Sequence, residues 1–367
     1  MTLFKLTGLN ARRYHLFRTN KRGFWSCMLF LLLFGLSLLA PLIANDRPLL
    51  GSYKGEMLYP LLVDYPESKF GGFLANTDFR DPLNQEEIAT NGWMIWPPIR
   101  YSYNTVNREL PMPAPSPPAF RLTSEQACIK YAQGTADPQC ISGNLNWLGT
   151  DDQGRDVVAR MIYGFRISVA FGLILTFFSS IIGVSAGAVQ GYFGGWIDLL
   201  FQRFIDIWSS MPVLYLLIII GAFIAPNFWL LLFILVLFSW TGLVGVVRAE
   251  FLRARNFEYV RAAKALGLSD GKIMWKHVLP NALVSTITFM PFILSGSVTT
   301  LTALDYLGFG LPPGSASLGE MVKQGKENLF APWLGFTAFF IVSTMLTLLV
   351  FVGEAVRDAL DPRKTFA

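Results

Sequence analysis

Five stretches of this chain contain no Asp, Glu, Lys or Arg: Gly23–Asn45, Ile167–Ile197, Ile207–Val247, His277–Leu304 and Asn328–Gly353. A helix crosses the hydrocarbon core of a bilayer with about 20 apolar residues, and each window is long enough. Ile207–Val247 is long enough for two crossings, with Pro226-Asn227 marking the break. Six transmembrane helices are therefore predicted, near 24–43, 168–190, 207–225, 228–247, 282–304 and 333–353. The composition agrees, with 53% hydrophobic and 15% charged residues where a soluble domain carries about 25% charged. Disordered chains are poor in apolar residues, so that class is excluded too. The fold class is an all-α polytopic membrane protein.

The first span has an alternative reading as a secretory signal. Its apolar run exceeds the roughly 7–15 residues of a signal core, and 23 residues precede it, which favours a retained helix. Lys and Arg then set the orientation. Residues 1–23 carry Lys5, Arg12, Arg13, Arg18, Lys21 and Arg22 and no acid, while the 20 residues after the first span hold only Arg47 and Lys54. The amino terminus is expected in the cytoplasm. The connection 248–281, with seven Lys and Arg, and the tail 354–367, with Arg357, Arg363 and Lys364, then fall on the same side.

The segment 44–166 is assigned to the outside, and 167–353 to a five-helix core. A structureless loop that long is unusual, so part of 44–166 is expected to fold against the outer face. It contains Pro111-Met-Pro-Ala-Pro-Ser-Pro-Pro118, which restricts the backbone to extended geometry. Cys128 and Cys140 lie in this outside segment and are predicted to form a disulfide, with two unpaired thiols as the alternative; Cys27 stands alone in the first span.

Gly183, Gly187 and Gly191 repeat at intervals of four on the second span, a pattern that lets helices pack closely. Ser285, Thr288, Ser295, Thr299 and Thr302 share one face of the fifth span. In lipid such hydroxyls either bond a neighbouring helix or line a polar pathway, and both readings stay open. No span carries an ionisable group at its middle, where ion- or proton-coupled carriers keep theirs, so the energy source is expected outside the membrane part. His15 and His277 lack a nucleophile or ligand partner at useful spacing. No metal site, catalytic group or bound cofactor is expected. Gly271-Lys272 is followed by Ile and Gly325-Lys326 by Glu, so neither is a Gly-x-x-x-x-Gly-Lys-Ser/Thr nucleotide loop.

The connection 248–281 contains Phe257-Glu-Tyr-Val-Arg-Ala-Ala-Lys-Ala-Leu-Gly267 and continues to Leu279-Pro280. Ala262, Ala263 and Ala265 favour helix. Gly267 is placed to end it in the left-handed conformation, and Ser269 to cap the next helix. Phe257, Tyr259 and Leu266 can act as knobs on a surface of small residues. On these grounds alone it is either a protein-docking helix or an amphipathic surface helix.

Ala262-Ala263, Gly267, Ile273 and Leu279-Pro280 together resemble the EAA motif of ABC importer permeases. Arg261 stands where that family has glutamate, so an ion pair made by that glutamate is not carried over. Leu148-Gly-Thr-Asp-Asp-Gln-Gly-Arg-Asp156 with Arg160, Gly191-Tyr-Phe-Gly-Gly-Trp-Ile-Asp198 with Arg203, Asp206 and Pro212, Leu307-Gly-Phe-Gly-Leu-Pro-Pro313 and Gly353-Glu-Ala-Val-Arg-Asp-Ala-Leu-Asp-Pro362 resemble the dipeptide and oligopeptide class. Ile43-Ala-Asn-Asp-Arg-Pro-Leu-Leu50, Gly71-Gly-Phe-Leu-Ala75 and Asn91-Gly-Trp-Met-Ile-Trp-Pro-Pro-Ile-Arg100 resemble its YejE-type branch.

The resemblance implies a type I ABC importer permease fold in a bacterial inner membrane, with 44–166 periplasmic. It implies a second permease, an ATPase that holds ATP and Mg, and a periplasmic binding protein as partners, with no nucleic acid. The cargo it implies is peptide, including peptide–nucleotides of the microcin C type, with dipeptides or metal chelates as alternatives. Phe257, Tyr259, Arg261, Ala262, Ala263, Leu266, Gly267 and Pro280 become the candidate ATPase-docking residues. A membrane-embedded enzyme or a scaffold subunit is the distant rival, and it would need catalytic groups at the interface that the sequence does not offer.

Overall fold

The computed structural model describes residues 8–122, 129–130, 135–136 and 145–361. The expected Cys128–Cys140 disulfide lies outside the described residues. Among the described residues, five helices are long and apolar enough to cross a membrane: Lys21–Leu38, Val157–Phe193, Phe228–Ala254, Asp270–Leu307 and Pro332–Leu360. A bent pair, Gly195–Ser209 and Val213–Phe223, which meet at 62°, makes a sixth if the two count as one span. Five of the six predicted spans correspond to these helices, and the third differs. The third, expected as an unbroken helix over 207–225, is broken at Ser210–Pro212, because Pro212 has no N–H to continue the ladder and the 195–209 arm ends there.

The chain divides into two compact units, Met1–Leu32 with Ser168–Pro312 and Ser343–Ala367, and Leu33–Ile167 with Pro313–Val342. The first holds most of the span residues. Here the glycine stripe closes the second span onto the fourth. A Cβ at Gly183, Gly187 or Gly191 would stand 2.5, 2.8 or 2.5 Å from the carbonyl oxygens of Trp240, Val244 and Arg248. Two repeats of four therefore meet backbone to backbone, and packing is the role the stripe has. Arg248, near the end of the fourth span, makes a bidentate bond to Asp198 of helix Gly195–Ser209, at 2.5 and 2.6 Å.

In the second unit the long segment does fold. Leu50–Tyr53 (β1), Glu56–Leu58 (β2) and Gly92–Ile95 (β3) form an antiparallel sheet in the order β2-β1-β3. Lys54 and Gly55, both at positive φ, make the two-residue turn that matches strand twist. Helix Pro82–Asn91 begins where the Asp81 side chain accepts from the Leu83 amide. Tyr53, Leu58, Phe70, Phe79 and Ile88 form the small core of this part. The proline run is pinned at Ser116, whose amide donates to the Thr150 hydroxyl and whose carbonyl accepts from the Thr150 amide, both at 2.9 Å.

The same unit buries a cluster of charge that position along the chain does not announce. Arg155 bonds Asp151 at 2.6 Å and Glu320 at 3.1 Å, and Arg160 bonds Glu320 at 2.8 Å and lies 3.4 Å from Asp151. Beside it Asp156 is fully buried and accepts from the Asn146 amide nitrogen and the Ala159 backbone, each at 2.8 Å. Burial raises its carboxyl from 3.8 to about 6, although those donors pull the other way.

A raised carboxyl contributes stability that is complete below its unfolded value and is lost as pH rises through the folded one. Acidification from pH 7.5 to 4 should therefore stabilise this unit by about 2 kcal/mol through Asp156. Asp156→Asn should remove that dependence while keeping an oxygen acceptor. Thermal unfolding of both proteins across this pH range checks it, and a constant difference between them would contradict the account.

Candidate ATPase-docking site

The connection 248–281 forms the expected helix, turn and helix. Helix Glu258–Ala265 follows Phe257, which is extended, and the chain reverses at Gly267, where φ is 76°. The Leu268 amide donates to the Ala263 carbonyl at 3.2 Å and the Gly267 amide to Lys264 at 2.9 Å, the paired closure of a Schellman motif. Ser269 stands in the capping position of the next helix but makes no side-chain cap bond; the glycine closure carries the turn without it.

The following helix starts at Asp270 and contains a π-helical turn, Ile273–Val278, before Leu279–Leu307. Pro280 accounts for the slip. It offers no N–H to the carbonyl one turn before, and the Leu279 amide reaches back five residues to Met274. Pro280 therefore shapes the entry to the fifth span and lies a helix away from the other docking candidates.

The short helix has two distinct faces. Val260 and Ala263 are buried with Ile273, Met274 and Val278 against Ala188, Tyr192, Val247, Phe251 and Ala254, the ends of the second and fourth spans. Ala263, predicted as a docking residue, is instead a core residue, as its three-residue spacing from Val260 requires. The opposite face presents Arg261 and Ala262 to solvent. Leu266 is 81% exposed, Phe257 41% and Tyr259 38%. The Phe257 and Tyr259 rings lie 5.9 Å apart, and the Arg253 guanidinium covers Phe257 at 5.8 Å. Large apolar side chains left outward on a helix whose back is packed suit docking by another protein.

The hydroxyls of the fifth span do share a face, half-buried at Ser285, Thr288, Ser295 and Thr302 and exposed at Thr299. Thr288, Thr299 and Thr302 donate to carbonyls three or four residues back in their own helix, and Ser285 donates to Glu250 at 3.2 Å. Thr286 and Ser297 turn inward among Ala282, Leu294, Val298 and Leu301. Among the described residues no group of His, Cys, Asp and Glu could hold a metal. Sequence reasoning passed over Tyr192, Lys264 and Asp270, which meet behind the docking helix. Their types are ordinary, and only the fold brings them together.

Residues 162–366 match the family described as "Binding-protein-dependent transport system inner membrane component". The chain is 68% identical over 97% of its length, and 93% of the relative's, to the "Peptidoglycan transport system permease protein YejE" of Agrobacterium fabrum. It is 55% identical to the "Inner membrane ABC transporter permease protein YejE" of Escherichia coli, over 98% and 99%. To the "Oligopeptide transport system permease protein OppC" of Lactococcus lactis it is 34% identical over 60% of this chain and 76% of that one. Among solved structures, an inward-facing MetNI methionine ABC transporter covers 55% of this chain and 96% of its own at 18% identity, with a TM-score of 0.44.

Proposed function

The chain belongs to the binding-protein-dependent transport system inner membrane components, as a permease subunit of an ABC importer for peptides, and from that premise we propose that residues 257–280 dock its ATPase. Membership implies an ATPase and a second permease as partners, and hydrolysis is the ATPase's task. The observation that carries the docking reading is the two-faced helix Glu258–Ala265: its back is held by the spans, and its front leaves Phe257, Tyr259 and Leu266 exposed. A push on that front is delivered to the ends of the second, fourth and fifth spans. ATP-driven closure would then shift the permease between inward- and outward-open states, which takes a few kcal/mol of differential binding.

Both termini are placed in the cytoplasm by the Lys and Arg distribution, and residues 44–166 in the periplasm, facing a binding protein. Ser285, Thr288, Ser295, Thr299 and Thr302 are assigned to the pathway side of the fifth span because they share one face, which is only partly covered within this chain. The cargo is peptide in the broad sense, because the relatives' names agree on nothing narrower: one is named for peptidoglycan and others for oligopeptides and dipeptides. Peptide–nucleotides of the microcin C type fall in the same class. Competition between such compounds and simple oligopeptides for uptake would rank them.

Gly267→Val tests the docking site. A Cβ at Gly267 would meet nothing within 4 Å, so the substitution acts through the left-handed backbone alone, at about 1–2 kcal/mol. The variant should insert and assemble with its partner permease, yet lose most transport and most stimulation of the ATPase. Gly267→Asn, which tolerates this conformation better, should keep both. Normal transport by assembled Gly267→Val would rule the site out.

A further inference from the structure

Behind the docking helix three polar groups from three elements converge. The Tyr192 hydroxyl, one residue before the end of helix Val157–Phe193, donates to Asp270 Oδ1 at 2.6 Å. Lys264, on the docking helix, reaches the same oxygen at 3.4 Å. Its ammonium also lies over the Tyr192 ring, 5.0 Å from the centroid. Asp270 is the first residue of the helix that leads into the fifth span. The Gly267 reversal is what brings Lys264 and Asp270 to the same side. Tyr192 is 4% exposed and anchored in the core, whereas the other two side chains are about half exposed.

Apolar packing between Val260, Ala263 and the span ends is non-directional. It resists separation, but it does little to stop one helix sliding along another. A hydrogen bond to a carboxylate is directional and stronger than a neutral one. The exposed Lys264–Asp270 pair contributes less on its own, so the Tyr192 bond is the firm member of the three.

The second span is in turn tied to the fourth by the glycine stripe. The geometry points to Tyr192, Asp270 and Lys264 as a latch: Tyr192 is a positioning residue that makes the docking helix and the entry to the fifth span move together with the second span. A push on the docking helix is thereby converted into movement of the spans, where without the bond it would be spent in sliding. This inference rests on the docking reading above.

The test uses the complete importer, with its partner permease, ATPase and binding protein, reconstituted in proteoliposomes. Peptide delivered per ATP hydrolysed is measured beside the amount of assembled complex. Tyr192→Phe keeps the ring and removes only the hydroxyl. It should leave the assembled complex and its ATPase rate within twofold of wild type and lower the peptide-to-ATP ratio at least fivefold. Asp270→Asn should lower the ratio similarly, and the double variant no further than either alone, because both break one bond. Lys264→Met, which removes only the weaker contact, should lower the ratio, but by less than Tyr192→Phe does.

A purely structural role would reduce assembly, transport and hydrolysis together and leave the ratio intact, and that result overturns the latch. So does an unchanged ratio in a fully assembled Tyr192→Phe complex, or additive losses in the double variant. Gly267→Val separates the two ideas. If it uncouples the importer while Tyr192→Phe does not, the latch alone falls; if it leaves coupling untouched, the docking reading falls as well.

Discussion

Replacing Arg160 by methionine should destabilise the unit built from residues 33–167 and 313–342 by about 3–5 kcal/mol, the range for breaking a buried ion pair from one side. The wild-type cluster balances two guanidinium groups, Arg155 and Arg160, against two carboxylates, Asp151 and Glu320. Arg160 is fully buried, and its guanidinium also donates to the Ser315 carbonyl at 3.0 Å. Methionine fills most of the volume but leaves one negative charge uncompensated and that carbonyl without its donor.

The double variant Arg160→Met with Glu320→Gln removes one charge of each sign and keeps the 2.6 Å Arg155–Asp151 bond. It should recover part of the loss, so the two substitutions are strongly non-additive. Arg160→Lys keeps the charge but not the planar fork that reaches several acceptors at once, and should fall between. Thermal unfolding of the purified proteins gives the order. A double variant as unstable as the sum of the singles would show that charge balance does not govern this cluster.

How much of this was readable beforehand follows from the range of each interaction. The spans were legible because lipid forbids charge over a whole crossing, a signal spread across 20 or more residues. The break at Pro212 was missed because the count of uncharged windows starts at Ile207. The arm Gly195–Ser209 carries Asp198, Arg203 and Asp206 and so fell outside it.

The Gly267 turn was legible because its cause is one residue long. The inward turn of Ala263 could have been read from its spacing to Val260, but alanine was taken for a docking surface on its size. Glu320 gave no signal: it lies 160 residues from Arg160, and nothing local marks a partner at that distance. The same holds for Tyr192 and Asp270, 78 residues apart.

The contact between the second and fourth spans permits the sharpest substitution. Gly187→Leu should be as damaging as the loss of Arg160, for a different reason. Its Cβ alone would stand 2.8 Å from both the Val244 carbonyl oxygen and the Val247 Cβ. The obstacle on one side is backbone, which no rotamer change can move aside. Overpacking of a core side chain typically costs about 1–3 kcal/mol; with three further carbons against backbone, about 3 kcal/mol or more is expected, with spans two and four forced apart.

Gly187→Ala should cost less, since it adds only the Cβ to the clash and gains about 1 kcal/mol in helix propensity. Gly245 supplies the control on the partner helix: a Cβ there meets nothing within 4 Å, so Gly245→Ala should be neutral or stabilising. Yield of folded protein and thermal midpoint measure all three. If Gly245→Ala proved as damaging as Gly187→Leu, the close contact at Gly187 would not be the cause. If Gly187→Leu alone fails, the second and fourth spans act as one body, which is what the proposed docking at Phe257, Tyr259 and Leu266 needs if a push there is to reach the membrane part.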